Sequence, residues 1–387
     1  MGTSRPRIYV DHSATTPVDP RVVEAMAPYW TEVFGNTSSV HTWGQEAAAA
    51  LERARETVAE VLGCRPSEIV FTGSGTEADN LAIRGVAWAA RKAERGNHVV
   101  TIPIEHHAVG HTVEQLHDLF GFEVTVVPVD EYGRVDPDDV RRAIRSDTVL
   151  VTVMAANNEV GTVQPIPEIG AICRERGIPL HTDAVQAAGR LDLNVDRLGV
   201  DLLSISAHKF YGPKGVGVLY VRRGVDLVPA ITGGGHERGR RPGTVNVAGA
   251  VGLAEALRLA EEMREAENVR LQALRDRLIA GVLGTIPDVR LTGHPTERLA
   301  HHASFAFRDV EGASVVVALD LEGIAASSGA ACAEGEPEPS AVLTAMDLPP
   351  EWAIGALRLT VGRANTEEDV DRVLEVLPRV VAHLRDH

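Results

Sequence analysis

The sequence predicts an α/β protein: a mostly parallel seven-stranded sheet covered by helices on both faces, with a smaller α/β portion at the C-terminal end. Three observations predict it. Short apolar runs alternate with segments of helical period as far as Val221. Polar motifs fall where those runs end. After Gly243 the pattern changes to a long proline-free helical stretch, then to shorter mixed elements.

In chain order, the runs at 68–72, 98–102, 123–127, 148–153, 179–182, 202–206 and 216–221 are short and largely apolar, which marks strands of a buried sheet. Segments at 47–62, 77–92, 109–120 and 167–176 carry helical periodicity, and those lying between runs supply the crossovers that parallel strands require. In such a sheet a ligand sits beyond the carboxyl ends of the strands. Polar residues concentrate there, at 73–80, 105–107, 157–161, 183–186 and 206–209. The stretch 247–283, rich in Ala, Leu, Glu and Arg, is long for a globular helix and is expected to bridge two domains. These are a large domain over 16–260 and a small one made of 1–15 and 261–387. The small domain has strand candidates at 303–307, 324–327 and 356–360 and a final helix at 367–384. The acidic, proline-bearing segment 333–339 reads as an exposed, mobile loop directly after Cys332.

A net charge of −16 argues against a general nucleic-acid or membrane-surface binder, although 238–241 (RGRR) is a local basic patch. The three cysteines, Cys64, Cys173 and Cys332, form no CxxC pair. A disulfide framework or cysteine-only zinc site is therefore not expected, and a reducing, cytoplasmic compartment is. The N-terminus lacks the apolar core of a signal peptide, and no apolar stretch is long enough to span a membrane.

The run 202–206 delivers Lys209 to a polar, glycine-rich turn, and the run 179–182 delivers Asp183, with Gln186 three residues on. A lysine and an aspartate at neighbouring strand ends are what pyridoxal phosphate (PLP) needs. The lysine forms the Schiff base, and the aspartate keeps the pyridinium nitrogen protonated so that the ring acts as an electron sink. The segment 73–78 matches a loose dinucleotide pattern, G-x-G-x-x-A, but two glycines in a strand–helix turn are common. A helix N-terminus with free N–H groups and the Thr76 hydroxyl suits a phosphate, and PLP accounts for it better than NAD does. The glycines around Lys214 form no Walker loop, since no Lys-Ser/Thr closes them.

Glu105, His106, His107, His111 and Glu114 could suggest a metal site, but no HExxH pattern or aspartate cluster accompanies them, and none is expected. His106, just past the run 98–102, is placed instead to stack on the PLP ring. Cys64 and Cys173 lie in or near helical apolar stretches and read as small buried hydrophobes. Cys332 sits among small residues beside the acidic loop, whose charges would raise its thiol pKa, so activation would have to come from the cofactor site. Arg358, inside a strand pattern, is either a surface arginine or, in a PLP site, a planar clamp for a substrate carboxylate.

With these residues in place, the chain resembles the NifS/IscS-type cysteine desulfurases, class V aminotransferases within the fold-type I PLP enzymes. The resemblance runs through 9–17 (YVDHSATTP), 34–41 (FGNTSSVH), 76–82 (TEADNLA), 105–109 (EHHAV), 157–161 (NNEVG), 183–186 (DAVQ), 206–215 (SAHKFYGPKG), 233–239 (GGGHERG) and 327–332 (SSGAAC). It implies that Lys209 carries PLP, that Gly75, Thr76, Ser206 and His208 hold the phosphate, and that Thr244 reaches the phosphate of the other subunit of a homodimer. Asp183 would pair with the ring nitrogen, Gln186 and Asn158 with the ring oxygen side, and His106 would stack and move protons. Arg358, helped by Asn36, would bind the carboxylate of L-cysteine. Cys332 would attack the substrate sulfur and keep it as a persulfide for an acceptor protein, an iron–sulfur scaffold or a thiolation enzyme. The spacing from Cys332 to Pro339 and Ser340 is similar to the long loop of the IscS-like group. His12, Ala331 and Pro242 depart from the usual residues, and none is a named catalytic group. A selenocysteine lyase or an aminotransferase of the same fold are the alternatives; the latter needs no cysteine at 332.

Overall fold

The computed structural model describes residues 7–329 and 339–386, so Cys332 and the acidic segment up to 338 lie outside the described residues. Strand β1 (Ile8–Tyr9) stands apart from the main sheet. The main sheet contains β2 (Ile69–Thr72), β3 (His98–Thr101), β4 (Glu123–Val126), β5 (Thr148–Thr152), β6 (Leu180–Asp183), β7 (Leu202–Ser206) and β8 (Gly217–Val221), in the order β2-β8-β7-β6-β5-β3-β4. These are the seven expected strands, each within about two residues of its predicted run. All pairings are parallel except those of β8, which is antiparallel to both neighbours. A short turn rather than a crossover helix joins β7 to β8, and a short turn can only produce an antiparallel neighbour.

Helices Thr42–Leu62, Gly75–Lys92, His107–Phe120 and Ile166–Arg176 pack against this sheet. Three start two or more residues before their apolar periodicity, because polar caps nucleate them; ahead of the first, His41 Nδ1 accepts from the Gly44 N–H at 3.3 Å. The Ser74 hydroxyl accepts from the Glu77 N–H at 3.0 Å, and the His106 Nδ1 accepts from the Ala108 N–H at 3.1 Å. Gly63, Gly121 and Gly177 close three of them at φ 67°, 64° and 66°, a conformation that favours glycine.

The long helix Val247–Thr285 has 39 residues, about 58 Å at the α-helical rise. Its first half places Leu253, Leu257 and Ala260 against the sheet's apolar cluster. Its second half places Leu271, Leu274, Leu278 and Val282 in a separate cluster. That cluster contains β9 (Val289–Leu291), β10 (His302–Phe307) and β12 (Ala356–Thr360), an antiparallel sheet in the order β12-β10-β9, and the final helix Glu367–Arg385. The predicted strand at 324–327 is shorter: β11 (Ile324–Ala325) pairs in parallel with β1, and Ser327 meets Arg358 through an isolated bridge. Ile8 and Val10 thereby join the second cluster, while the chain just after them crosses to the end of the main sheet. The short strands β1 and β9 and the helix Gly312–Leu321 carry too little periodicity to be read in advance. No helix among the described residues is long and apolar enough to cross a membrane.

Candidate active site

The carboxyl ends of the parallel strands and the N-terminal segment enclose a cavity of about 560 Å³. Gly75, Thr76, His106, Asn158, Asp183, Gln186, Ser206, His208, Lys209 and Arg358 all line it. Two other predicted residues do not: Asn36 and Thr244 are exposed and outside the lining. A larger groove, about 920 Å³, lies at the opposite strand ends, lined by arginines such as Arg145, Arg174 and Arg222. The smaller cavity is the chemically equipped one, because it alone of the two holds the buried lysine–aspartate pair at the strands' carboxyl ends.

Lys209 ends the single helical turn that follows β7. Its Nζ donates to the backbone carbonyls of Ser13 at 2.6 Å and Ala14 at 2.8 Å. Burial lowers the ammonium pKa to about 8; Arg358 adds to this, and Asp183 and Asp11 oppose it. The segment holding those carbonyls is itself stitched to the lysine turn. Thr16 Oγ1 donates to the His208 carbonyl at 2.9 Å and accepts from the Tyr211 N–H at 2.8 Å, and Gln186 Nε2 donates to the Ser13 carbonyl at 2.9 Å. This N-terminal wall was not legible as part of the site, because it acts through backbone atoms that any residue carries.

Asp183 closes β6 and is 5% exposed. One carboxylate oxygen accepts from the Val185 N–H at 2.9 Å. Burial, then the charge of Asp79, pushes its pKa up to about 7, against the favourable His106 imidazole. Below it runs a fully buried polar layer: His181 bonds Thr152 Oγ1 at 2.8 Å and Ser204 Oγ at 3.0 Å, with Asp79 Oδ1 at 3.5 Å. Asp79, like Asp183, is pushed up to about 7 by burial. Two neighbouring carboxyls this desolvated favour holding a proton, and a cation facing Asp183 favours its carboxylate form.

Arg358 projects from β12, in the second cluster, into the cavity. Its guanidinium donates to Asp11 Oδ1 and to the Asn158 carbonyl, both at 2.8 Å, while its buried Nε has no partner. It is thus a buried cation of the cavity lining, not a surface arginine. His106 is exposed and lines the cavity. Desolvation lowers its imidazole pKa, Asp183 opposing and Lys209 adding. The rings of His107 and His111 are 4.8 Å apart, and no three-ligand metal cluster occurs among the described residues.

PLP fits these residues. The first-turn N–H groups of Gly75 and Thr76 have no helical acceptor, and Gly75 packs so closely that an added Cβ would lie 2.8 Å from Val185 Cγ2 and 3.2 Å from Ser206 Cβ. That cradle suits a phosphate. The Lys209 amine and the buried Asp183 carboxyl share this cavity, so one could take the cofactor's aldehyde and the other its ring nitrogen.

Fold and site together define a fold-type I PLP-dependent enzyme. A family model described as aminotransferase class-V matches residues 8–373. The cysteine desulfurase IscS of Methanosarcina thermophila is 52% identical over 386 residues, covering 100% of this chain and 95% of that protein. One from Clostridium botulinum is 49% identical, covering 98% and 96%. Among solved structures, one titled a NifS-like protein superposes with a TM-score of 0.91 at 39% identity, covering 98% of this chain and 100% of that one. SspA in complex with cysteine gives 0.80 at 36%, covering 92% and 98%. The chain belongs to the class V aminotransferase family.

Proposed function

We infer that this protein is a PLP-dependent cysteine desulfurase: it removes sulfur from L-cysteine, leaves L-alanine and holds the sulfur as a persulfide on Cys332. The observation that supports this most is the pairing of a buried Lys209 amine and a buried Asp183 carboxyl in one cavity, in a chain whose full-length relatives are named for that activity.

Bound PLP supplies the sink for electrons released at the substrate Cα. The rest is work for the chain's own groups. Gly75, Thr76, Ser206 and His208 would hold its phosphate, Asp183 would pair with its ring nitrogen, Gln186 and Asn158 with its ring oxygen side, and His106 would stack on the ring. Arg358 takes the substrate carboxylate in a planar contact, with Asn36 assisting. The Lys209 amine, lowered to about 8, is far closer to its free-base form near neutral pH than an ordinary lysine, and would move the Cα proton. The Cys332 thiolate then attacks the substrate sulfur; the C–S bond breaks, an S–S bond forms, and protons delivered to the former Cβ and returned to Cα complete alanine. Burial pushes the thiols of Cys64 and Cys173 up to about 12, so neither supplies a thiolate near neutral pH.

The working form is a homodimer. Thr244 and Asn36 lie outside their own cavity, and the segment that carries Asn36 exposes Trp30, Phe34, Val40 and Trp43, an apolar strip that a second copy would cover. The division into a large domain, 16–260, and a small one, 1–15 with 261–387, is supported by the separate apolar clusters. The persulfide passes to an iron–sulfur scaffold or a thiolation enzyme, in a cytoplasm that keeps thiols reduced. The test separates nucleophiles. Cys332→Ser should fold, bind PLP and bind cysteine, yet form no persulfide and release no sulfide, while Cys173→Ser stays active. Sulfide release surviving in Cys332→Ser would sink the assignment.

A further inference from the structure

None of the loop 233–243, which leads to Thr244, lines the cavity of its own chain, yet the loop is pinned at two points. Glu237 is 7% exposed. It and Arg238 hold φ of 48° and 57°, a left-handed conformation that costs energy for residues with side chains. The Glu237 carboxylate accepts two bonds from the Arg55 guanidinium, at 2.7 and 2.8 Å, with side chains 1% and 2% exposed. The same carboxylate accepts from the Phe71 N–H, and the same guanidinium donates to the Ile69 carbonyl, both at 2.8 Å. Ile69 and Phe71 belong to β2, an edge strand bonded only to β8. The ion pair therefore occupies the free hydrogen-bonding edge of the sheet. Four residues on, Arg241 donates to Glu77 at 2.7 and 3.2 Å, and Glu77 accepts from the Gly73 N–H at 2.7 Å. Glu77 stands in the first turn of the helix Gly75–Lys92, beside the phosphate cradle.

A buried ion pair gives little net stability, and positive φ takes some away. What the arrangement secures is a loop of one shape. We propose that Glu237 with Arg55, and Arg241 with Glu77, are positioning residues that hold Thr244 in the pose that completes the cavity of a second copy of this chain. The inference rests on the homodimer reading above.

The test uses full-length dimers. Glu237→Gln, Arg241→Gln and Thr244→Ala are each expected to bind PLP about tenfold or more weakly than wild type. Arg241, with its side chain 21% exposed, keeps the test open if Glu237→Gln does not fold. Mixed dimers then locate the effect. With Arg241→Gln and Lys209→Ala on opposite chains, the one intact lysine receives an unaltered loop. PLP fixed by borohydride at limiting cofactor then returns to about half the wild-type amount per dimer. With both changes on one chain beside a wild-type chain, the intact lysine faces the altered loop and the label stays low. Equal labelling of the two mixed dimers, or wild-type PLP affinity in the Arg241→Gln dimer, overturns the proposal. A wild-type protein that is a monomer with full cofactor, or a Thr244→Ala dimer of wild-type affinity, overturns the dimer reading beneath it.

Discussion

His12 is one of the departures from the family pattern noted above, and its surroundings show what an imidazole does there. It is 5% exposed, and neither ring nitrogen makes a well-formed hydrogen bond, the Asn365 side chain and the Tyr9 backbone being its nearest polar neighbours. Gly362 lies against it so tightly that a Cβ would fall 2.3 Å from the ring. Burial, with Arg190 adding, lowers its pKa to about 4. The unfolded chain takes up this proton below about 6.5, and the folded protein only below about 4. The stability that His12 leaves intact above 6.5 is therefore lost as pH falls towards 4, by about 2 kcal/mol at pH 5. His12→Asn carries no such loss. Its urea midpoint should gain on wild type by that amount between pH 7.5 and pH 5, and an equal gap at both pH values would mean that the folded imidazole is already charged. The site itself divides by the kind of atom used. Lys209, Asp183 and His106 were legible because their chemistry is in the side chain and their position follows a strand. The Ser13 and Ala14 carbonyls were not, because a carbonyl has no signature in sequence.

Elements supply the geometry, and the helix Gly75–Lys92 shows how. Its apolar periodicity begins near Glu77, but the Ser74 cap starts the helix at Gly75, and the two residues between are the cradle. Gly75 is there for closeness of approach, not for unusual φ. Gly75→Ala should raise the PLP dissociation constant about tenfold, or 1.4 kcal/mol, as the cradle is pushed from Val185 and Ser206. Alanine is well tolerated in a helix, so the apoenzyme's stability should change by less than about 1 kcal/mol. Thermal melts of the apoenzyme beside PLP titrations check both, and unchanged affinity would place the phosphate elsewhere. β8 teaches a related lesson. Its apolar run announces a strand, while its antiparallel direction follows from the length of the connection to β7.

At the scale of the whole molecule, the proposed homodimer draws on the exposed strip. Phe34 is 65% exposed, Trp30 62% and Val40 89%. Aromatic residues at the centre of an interface contribute about 2 kcal/mol or more each. Phe34→Glu should therefore shift the protein towards monomers in sedimentation at micromolar concentration and should weaken PLP binding, since Thr244 would then reach no second cavity. A Phe34→Glu protein that stays dimeric with full cofactor would move the interface to another face. The long helix Val247–Thr285 ties the two apolar clusters together, and β1 returns the N-terminus to the second of them. Arg358 thus reaches the cavity from one cluster and Lys209 from the other.

By itself the sequence determined the seven strands, the helices between them, the lysine–aspartate pair and the convergence of polar strand ends. Each of these depends on local period or on neighbours along the chain, which physical chemistry reads directly. Only the tertiary structure decided which distant groups meet. Arg55 and Glu237 are separated by 182 positions, and Arg358 and Asp11 by 347. No periodicity links such pairs. Only the folded backbone brings their charges together, and burial then makes each pairing necessary, because a charge removed from water must be matched where it lies.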